Sequence, residues 1–403
     1  MIDGVIYVTT VSAAGTQTVI HNKDAYTGQE APGFPIDLEA ELKQKAVELI
    51  PEVTDALSAT LVTSLVAEVA FSRGGAEVIA KWRVSDSAVL PSTRYGLVHY
   101  NLEAREFVGA IIFPDTVDYD AFYYTGDVFD APIILGALNS STGEYELFGY
   151  DRGFESVLWT VSPAAPYSSL GVYYQQLHIN RETNVVYGST FTPALGEFGE
   201  QVLYYFNALD GSGLTQVFDP PSNPSGASNG GSTGTGGEIK IFVPAFPRDP
   251  PHKGLLIDVY DAQFALIETQ LAPPSAENVV TAPVYPTVVV RPDLGKLAIN
   301  FSYDDGTVHQ AIVRLDDLSD QYLVPYSGLE LRIPQLSGDG TVLVGLGPTY
   351  TTIDIVDVSS GASINQLSPA EEITNMFGIS GFYNPAAPAP FWTSFHGTTE
   401  VIE

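Results

Sequence analysis

The chain has 403 residues, with 48 Asp and Glu against 17 Lys and Arg and a formal net charge of −31. A field of that sign repels phosphate backbones and argues against nucleic-acid binding as a main role. No apolar run reaches the length of a membrane span, and the absence of cysteine excludes disulfides and thiolate metal ligands.

The N-terminal stretch MIDGVIYVTTVSAAG passes straight into a strand-like run without a basic leader, so no signal peptide is expected. The expected location is the cytoplasm or an assembled virion. The first hairpin signal is VIHNKDAYTGQ, a polar turn at Asp24 between two apolar runs. Asp and Asn suit such a position because their side chains accept from backbone N–H groups two residues on.

Residues 37–60 change period. Leu38, Leu42, Leu49 and Ile50 recur near helical spacing, Asp37 suits an N-cap, and Pro51 bars continuation. The expectation is a helical insertion that packs on the rim of the fold or meets a neighbouring protein. These four apolar residues are therefore the candidate partner contacts.

The Asx-led hairpin then recurs at Asn101, Asn139, Asn207, Asp258, Asp316 and Asp357, seven markers with Asp24. Other hairpins fall between them, at Arg73-Gly74-Gly75, at Asn180 in LHINRETNVVYGS, at Asp293-Leu294-Gly295 and at Gly338-Asp339-Gly340. Two hairpins per unit make four antiparallel strands per unit, the size of a propeller blade. Residues 219–238, DPPSNPSGASNGGSTGTGGE, have the composition of a flexible loop. The C-terminal FWTSFHGTTEVIE, residues 391–403, is strand-like and is expected to pair with residues 5–12 and close a ring.

The sequence LHINRETNVVYGSTFTP, followed by EQVLYYFNALDGSGLTQVF, resembles YVTN-type and quinoprotein-like β-propeller repeats, in which an Asx turn precedes a "vvY" strand. DIVDVSSGASI is similar to the second half of the same unit, with its D-x-x-[ST]-G turn. The resemblance implies a fold, and propellers host enzymes, binding platforms and structural parts alike.

Signals for chemistry are sparse. SYDDGTVH, residues 302–309, partly resembles the Asp-box of sialidase-like propellers through Ser302, Asp304 and Gly306, but His309 stands where the box has Trp. That box is a stabilising turn. The acid pairs Asp118/Asp120, Asp304/Asp305 and Asp316/Asp317 have the right groups for glycoside hydrolysis only if residues from different blades converge. NALDGSG, 207–213, offers oxygen ligands without the alternating acids of a dedicated calcium loop. The six histidines lack ligand spacing, although His21 and His99 both precede hairpin markers and read as repeat equivalents.

The expectation is an all-β, seven-bladed β-propeller of four-stranded antiparallel blades with one short helical insertion, six and eight blades being the alternatives. No cofactor and no catalytic residue is expected, and the metal question stays open. The expected function is a non-enzymatic interaction or structural module with protein partners in a larger assembly, of which a phage-tail or other virion component is an instance. The alternatives are a glycosidase- or lactonase-like hydrolase at the channel mouth and a glycan-binding module.

Overall fold

The computed structural model describes residues 5–11, 17–24, 27, 29–71, 77–113, 117–124, 132–139, 144–163, 174–180, 183–191, 201–218, 223–224, 231–233, 240–246, 255–272, 288–291, 296–302, 308–314, 320–325, 332–336, 342–346, 352–357, 359–368 and 379–383. Among them the strands form seven antiparallel sheets. The first sheet joins Val5–Val11, Gln17–Asp24 and Ile36–Asp37 to a strand from the far end of the chain, Ile379–Tyr383. The second contains Leu61–Phe71, Glu77–Asp86, Arg94–Asn101 and Glu106–Ile112, and the third Val117–Tyr124, Ile133–Asn139, Glu144–Tyr150 and Val157–Val161.

The fourth contains Tyr174–Asn180, Val185–Phe191, Gln201–Asn207 and Thr215–Phe218. In the fifth, Asn223–Pro224 and Gly231–Thr233 both pair with Lys240–Phe246, followed by Leu255–Tyr260 and Leu266–Ala272. Val288–Arg291, Lys296–Ser302, Val308–Arg314 and Asp320–Pro325 make the sixth. Arg332–Leu336, Val342–Leu346, Ile353–Asp357 and Ser363–Leu367 make the seventh. Five of the sheets are simple meanders of consecutive strands; the first takes one strand from the far end of the chain, and in the fifth two short strands share one neighbour. Two strands thus lie within the Gly/Ser-rich stretch 219–238, where composition predicts only a loop.

Burial falls outward across a sheet. In the second, EVIAKWRVSD is buried at nearly every position on both faces, whereas the last strand, EFVGAII, has no buried residue. Inner strands packed on both faces read as continuous apolar runs, and outer ones need not. First strands also meet across sheets: Tyr174–Asn180 lies against Val117–Tyr124 and Gly231–Thr233, and Ile379–Tyr383 against Arg332–Leu336 and Leu61–Phe71.

The helix runs over Glu39–Leu49, shorter than the expected 37–60. The N-cap is Leu38, without a side-chain cap bond, rather than the expected Asp37. Asp37 Oδ1 still accepts from the Glu39 N–H and from Thr18 Oγ1, both at 2.9 Å, which ties the helix start to the first sheet. Leu38, Leu42, Ala46 and Ile50 form its buried face, at most 3% exposed, and pack with Leu61, Leu65 and Trp82 of the second sheet. Leu49 is turned away from that face and is 37% exposed. Of the four candidate partner contacts, then, Leu38, Leu42 and Ile50 are engaged inside the chain, because side chains at i and i+4 share a helix face and Ala46 completes it.

Candidate functional site

Among the described residues, polar side chains recur in the turns between the third and fourth strands. In the second sheet Asn101 Oδ1 accepts from the N–H groups of Glu103 and Ala104 at 3.0 and 2.8 Å. In the third, Asp151 accepts from Gly153, Glu155 and Ser156 N–H at 2.9, 3.0 and 2.7 Å. Asn207 accepts from Leu209 at 2.8 Å, Asp261 from Gln263 and Ala265 at 2.9 and 2.8 Å, and Asp357 from Ser360 N–H at 2.8 Å. One Asx turn therefore recurs in five sheets.

Each of these turns then passes through a left-handed residue: Arg105, Phe154, Gly211, Phe264 or Gly361, at φ between 57° and 71°. Glycine adopts that region freely, and an L side chain there costs about 1–2 kcal/mol. Phe154 and Phe264 offset the cost by burial, each 5% exposed and set edge-on against the Tyr before the Asx residue, Tyr150 and Tyr260. Sequence reasoning missed both sites, yet the signal is present: Tyr-Asp-x-x-Phe occurs at 150–154 and again at 260–264.

The sequence markers divide accordingly. Asn101, Asn207 and Asp357 hold their turns. Asn139 ends the second strand of the third sheet, whose equivalent turn is held by Asp151, and Asp258 lies inside Leu255–Tyr260, three residues before the turn residue Asp261. Asp24 ends the strand Gln17–Asp24. Asp316, Asp317, Asp304, Asp305 and residues 391–403 lie outside the described residues. Asp118 and Asp120 lie on Val117–Tyr124.

Four of these turns dock on the preceding sheet or beside it. The Arg105 guanidinium donates to the Gly33 carbonyl beside the first sheet. His99, fully buried in the second sheet, bonds through Nδ1 to the Arg152 carbonyl in the third sheet's turn at 2.9 Å. The Arg152 guanidinium reaches both Glu77 oxygens at 2.6 Å, and Glu77 faces His99 Nε2 at 3.3 Å. A Cβ on Gly109 would lie 2.1 Å from the Gly153 carbonyl oxygen, so the backbones touch at this joint. Trp159 Nε1 donates to the Ala208 carbonyl in the fourth sheet's turn at 3.1 Å. Phe264 packs edge-on against Tyr187 of the fourth sheet at 5.5 Å. His21 is not the equivalent of His99: it lies three residues before the end of its strand and His99 two, and its Nδ1 bonds to Glu30.

Electrostatics follow the same geometry. At Asp151 desolvation pushes the carboxyl up, but the hydrogen bonds from Ser156, Glu155 and Gly153 outweigh it and hold it below its ordinary value of 3.8. Hydrogen bonds from the hydroxyls of Ser360 and Ser359 lower Asp357, and those from Ser212 lower Asp210. The oxygen atoms of NALDGSG are thus turned onto the turn itself: Asn207 accepts from Leu209, and Asp210 from Ser212 N–H at 3.0 Å. Among the described residues no three carboxylate or imidazole side chains converge as a metal site, and no helix is long and apolar enough to cross a membrane.

Solved structures similar to this chain share its fold over most of their length. A putative 6-phosphogluconolactonase from Bacteroides uniformis aligns over 93% of this chain and 99% of its own, at 12% identity and a TM-score of 0.50. The dihydro-heme d1 dehydrogenase NirN aligns over 91% of this chain and 73% of its own, at 12% identity and a TM-score of 0.51. The fold is that of a β-propeller. The β-propeller domain of Swd1 from Myceliophteria thermophila is a further similar structure, with 13% identity, 77% of this chain and 91% of that domain covered, and a TM-score of 0.46. At these identities the likeness is one of fold alone. No protein-family model matches the chain, and no curated protein matches it in sequence.

Proposed function

We propose that the chain is a non-enzymatic interaction propeller, a structural component of a larger assembly. Its seven sheets are read as the blades of one closed ring of the YVTN/quinoprotein-like kind, with the 37–60 segment as a helical insertion. The contacts of Ile379–Tyr383 with the first strands of the second and seventh sheets support closure. One observation carries the functional reading. The polar groups of the recurrent turns, Asp151, Arg152, His99 and Glu77 among them, are engaged in their own turns and joints. Aliphatic side chains are instead left outside on the outermost strands.

The test is the mass of the native particle containing this protein, by light scattering and mass spectrometry after mild extraction. A defined complex with other chains is expected, and a free monomer overturns the reading. The second reading is a hydrolase of sugars or lactones at the channel mouth. The overlap of 93% and 99% with the putative lactonase favours it, and a lactonase screen on the free monomer tests it.

A further inference from the structure

Four of the seven outermost strands share a detail that the sequence repeat does not display, and a fifth, Asp320–Pro325, has the same bulge with the polar Gln321 at it. In the second sheet Tyr100 pairs with Phe107 and His99 with Gly109, which leaves Val108 between them as a bulge residue. Leu158 is left in the same way in the third sheet, Ile267 in the fifth and Ile364 in the seventh. Each lies three or four residues past the left-handed turn residue. All four are exposed, at 36%, 53%, 52% and 38%. A bulge at a sheet edge re-aims a side chain and interrupts the ladder, and so discourages strand-on-strand pairing. It does not account for an exposed aliphatic residue at the same place in four sheets.

The charge of the outermost strands themselves is one-sided, and the one helix cation beside a knob, Lys45 over the Phe107 ring, is paired with Glu48. The seven outermost strands, Ile36–Asp37, Glu106–Ile112, Val157–Val161, Thr215–Phe218, Leu266–Ala272, Asp320–Pro325 and Ser363–Leu367, contain no Lys or Arg and four acids. Edge strands elsewhere are commonly guarded by lysine. The cations of the neighbouring turns, Arg105 and Arg152, are drawn back to Gly33 and Glu77 of the preceding sheet. An acidic rim repels anionic lipid and phosphate, and a second copy at −31 is repelled as well. Aliphatic knobs rather than exposed aromatic faces also fit protein better than sugar.

We infer that the outer rim is a docking surface for a basic protein partner, whose apolar contacts on Val108, Leu158, Ile267 and Ile364 are framed by Lys and Arg. This rests on the assembly reading above and names its partner's chemistry. The test compares the native mass of the wild type with that of a variant carrying Val108→Ser, Leu158→Ser, Ile267→Ser and Ile364→Ser. A Leu57→Ser/Val89→Ser variant, altered at exposed aliphatic residues outside the bulges, is the control. The expected result is a complex for the wild type and control and a free chain for the rim variant.

A complex retained by the rim variant overturns the rim while leaving the assembly reading in place, and a free wild-type chain overturns both. A peptide of alternating Lys and Leu, with Lys/Ser and Glu/Leu peptides as controls, is the second measurement and does not depend on the native partner. The Lys/Leu peptide should bind the wild type at least about tenfold more tightly than the rim variant. Equal affinity for both, or equal binding of the Glu/Leu peptide, overturns the proposal. If the fourfold variant fails to fold, Leu158→Ser alone is tested with the same peptides, and an affinity equal to that of the wild type overturns it.

Discussion

Tyr204 shows how far the packing of this fold governs single residues. Its ring is fully buried, stacked on Phe206 at 6.3 Å, and its hydroxyl has no hydrogen-bond partner among the described residues. Gly188 makes the space, since a Cβ there would lie 2.4 Å from Tyr204 Cζ. Burial pushes the hydroxyl well above its ordinary pKa. A buried polar group without a partner costs about 1–3 kcal/mol, so Tyr204→Phe should raise stability by roughly 1 kcal/mol in urea unfolding. The turn acids act in the opposite sense. Asp151 and Asp357 have lowered folded-state pKa values, so their contribution is present above 3.8 and is lost as pH falls through the folded values. Asp151→Asn/Asp357→Asn should therefore be less stable than the wild type near neutrality, and the gap should close in unfolding curves taken below about pH 4.

At the scale of elements, the helix separates what sequence periodicity can and cannot resolve. Apolar spacing located it and Asp37 marked its start, but Ala46 carries too little apolar weight to mark the buried face, and Leu49 falls one position off it. Leu42, with no exposure, fills the space between the first and second sheets. Leu42→Ala should cost about 2–5 kcal/mol, while Leu49→Ala should stay within about 0.5 kcal/mol, both read from chemical denaturation. Hairpins were legible in the same partial way. Asn101, Asn207 and Asp357 stand out because a Gly or polar spacer follows them. Asp151 and Asp261 were hidden because an aromatic residue, Phe154 or Phe264, takes the left-handed position where glycine is the ordinary signal. The joints were not legible at all, since His99, Glu77 and Arg152 are separated by 22, 53 and 75 positions and only the stacking of sheets brings them together.

For the whole molecule the deciding question is how the two ends of the chain meet. Composition and hairpin recurrence point to a ring, and a ring of meanders has one joint that no hairpin can make, because its strands come from opposite termini. The structure pairs Val5–Val11 with Ile379–Tyr383, with Val5 opposite Tyr383 and Val8 opposite Ile379, and the ring proposed above takes this pairing as that joint. The register is irregular between Ile6 and Tyr7, and the pairing is shorter than that of Val5–Val11 with Gln17–Asp24, which has its own irregularity between Thr10 and Val11. A chain truncated before Ile379 leaves the backbone edge of Val5–Val11 unpaired, and an open strand edge invites pairing with another molecule. It should melt at a lower temperature by differential scanning fluorimetry and run as larger species on size exclusion. Restoring the missing segment as a separate peptide should reverse both effects if the strand acts by pairing. A truncated chain that melts and elutes like the full-length protein would mean that the first sheet holds without its fourth strand, and that ring closure contributes little to stability.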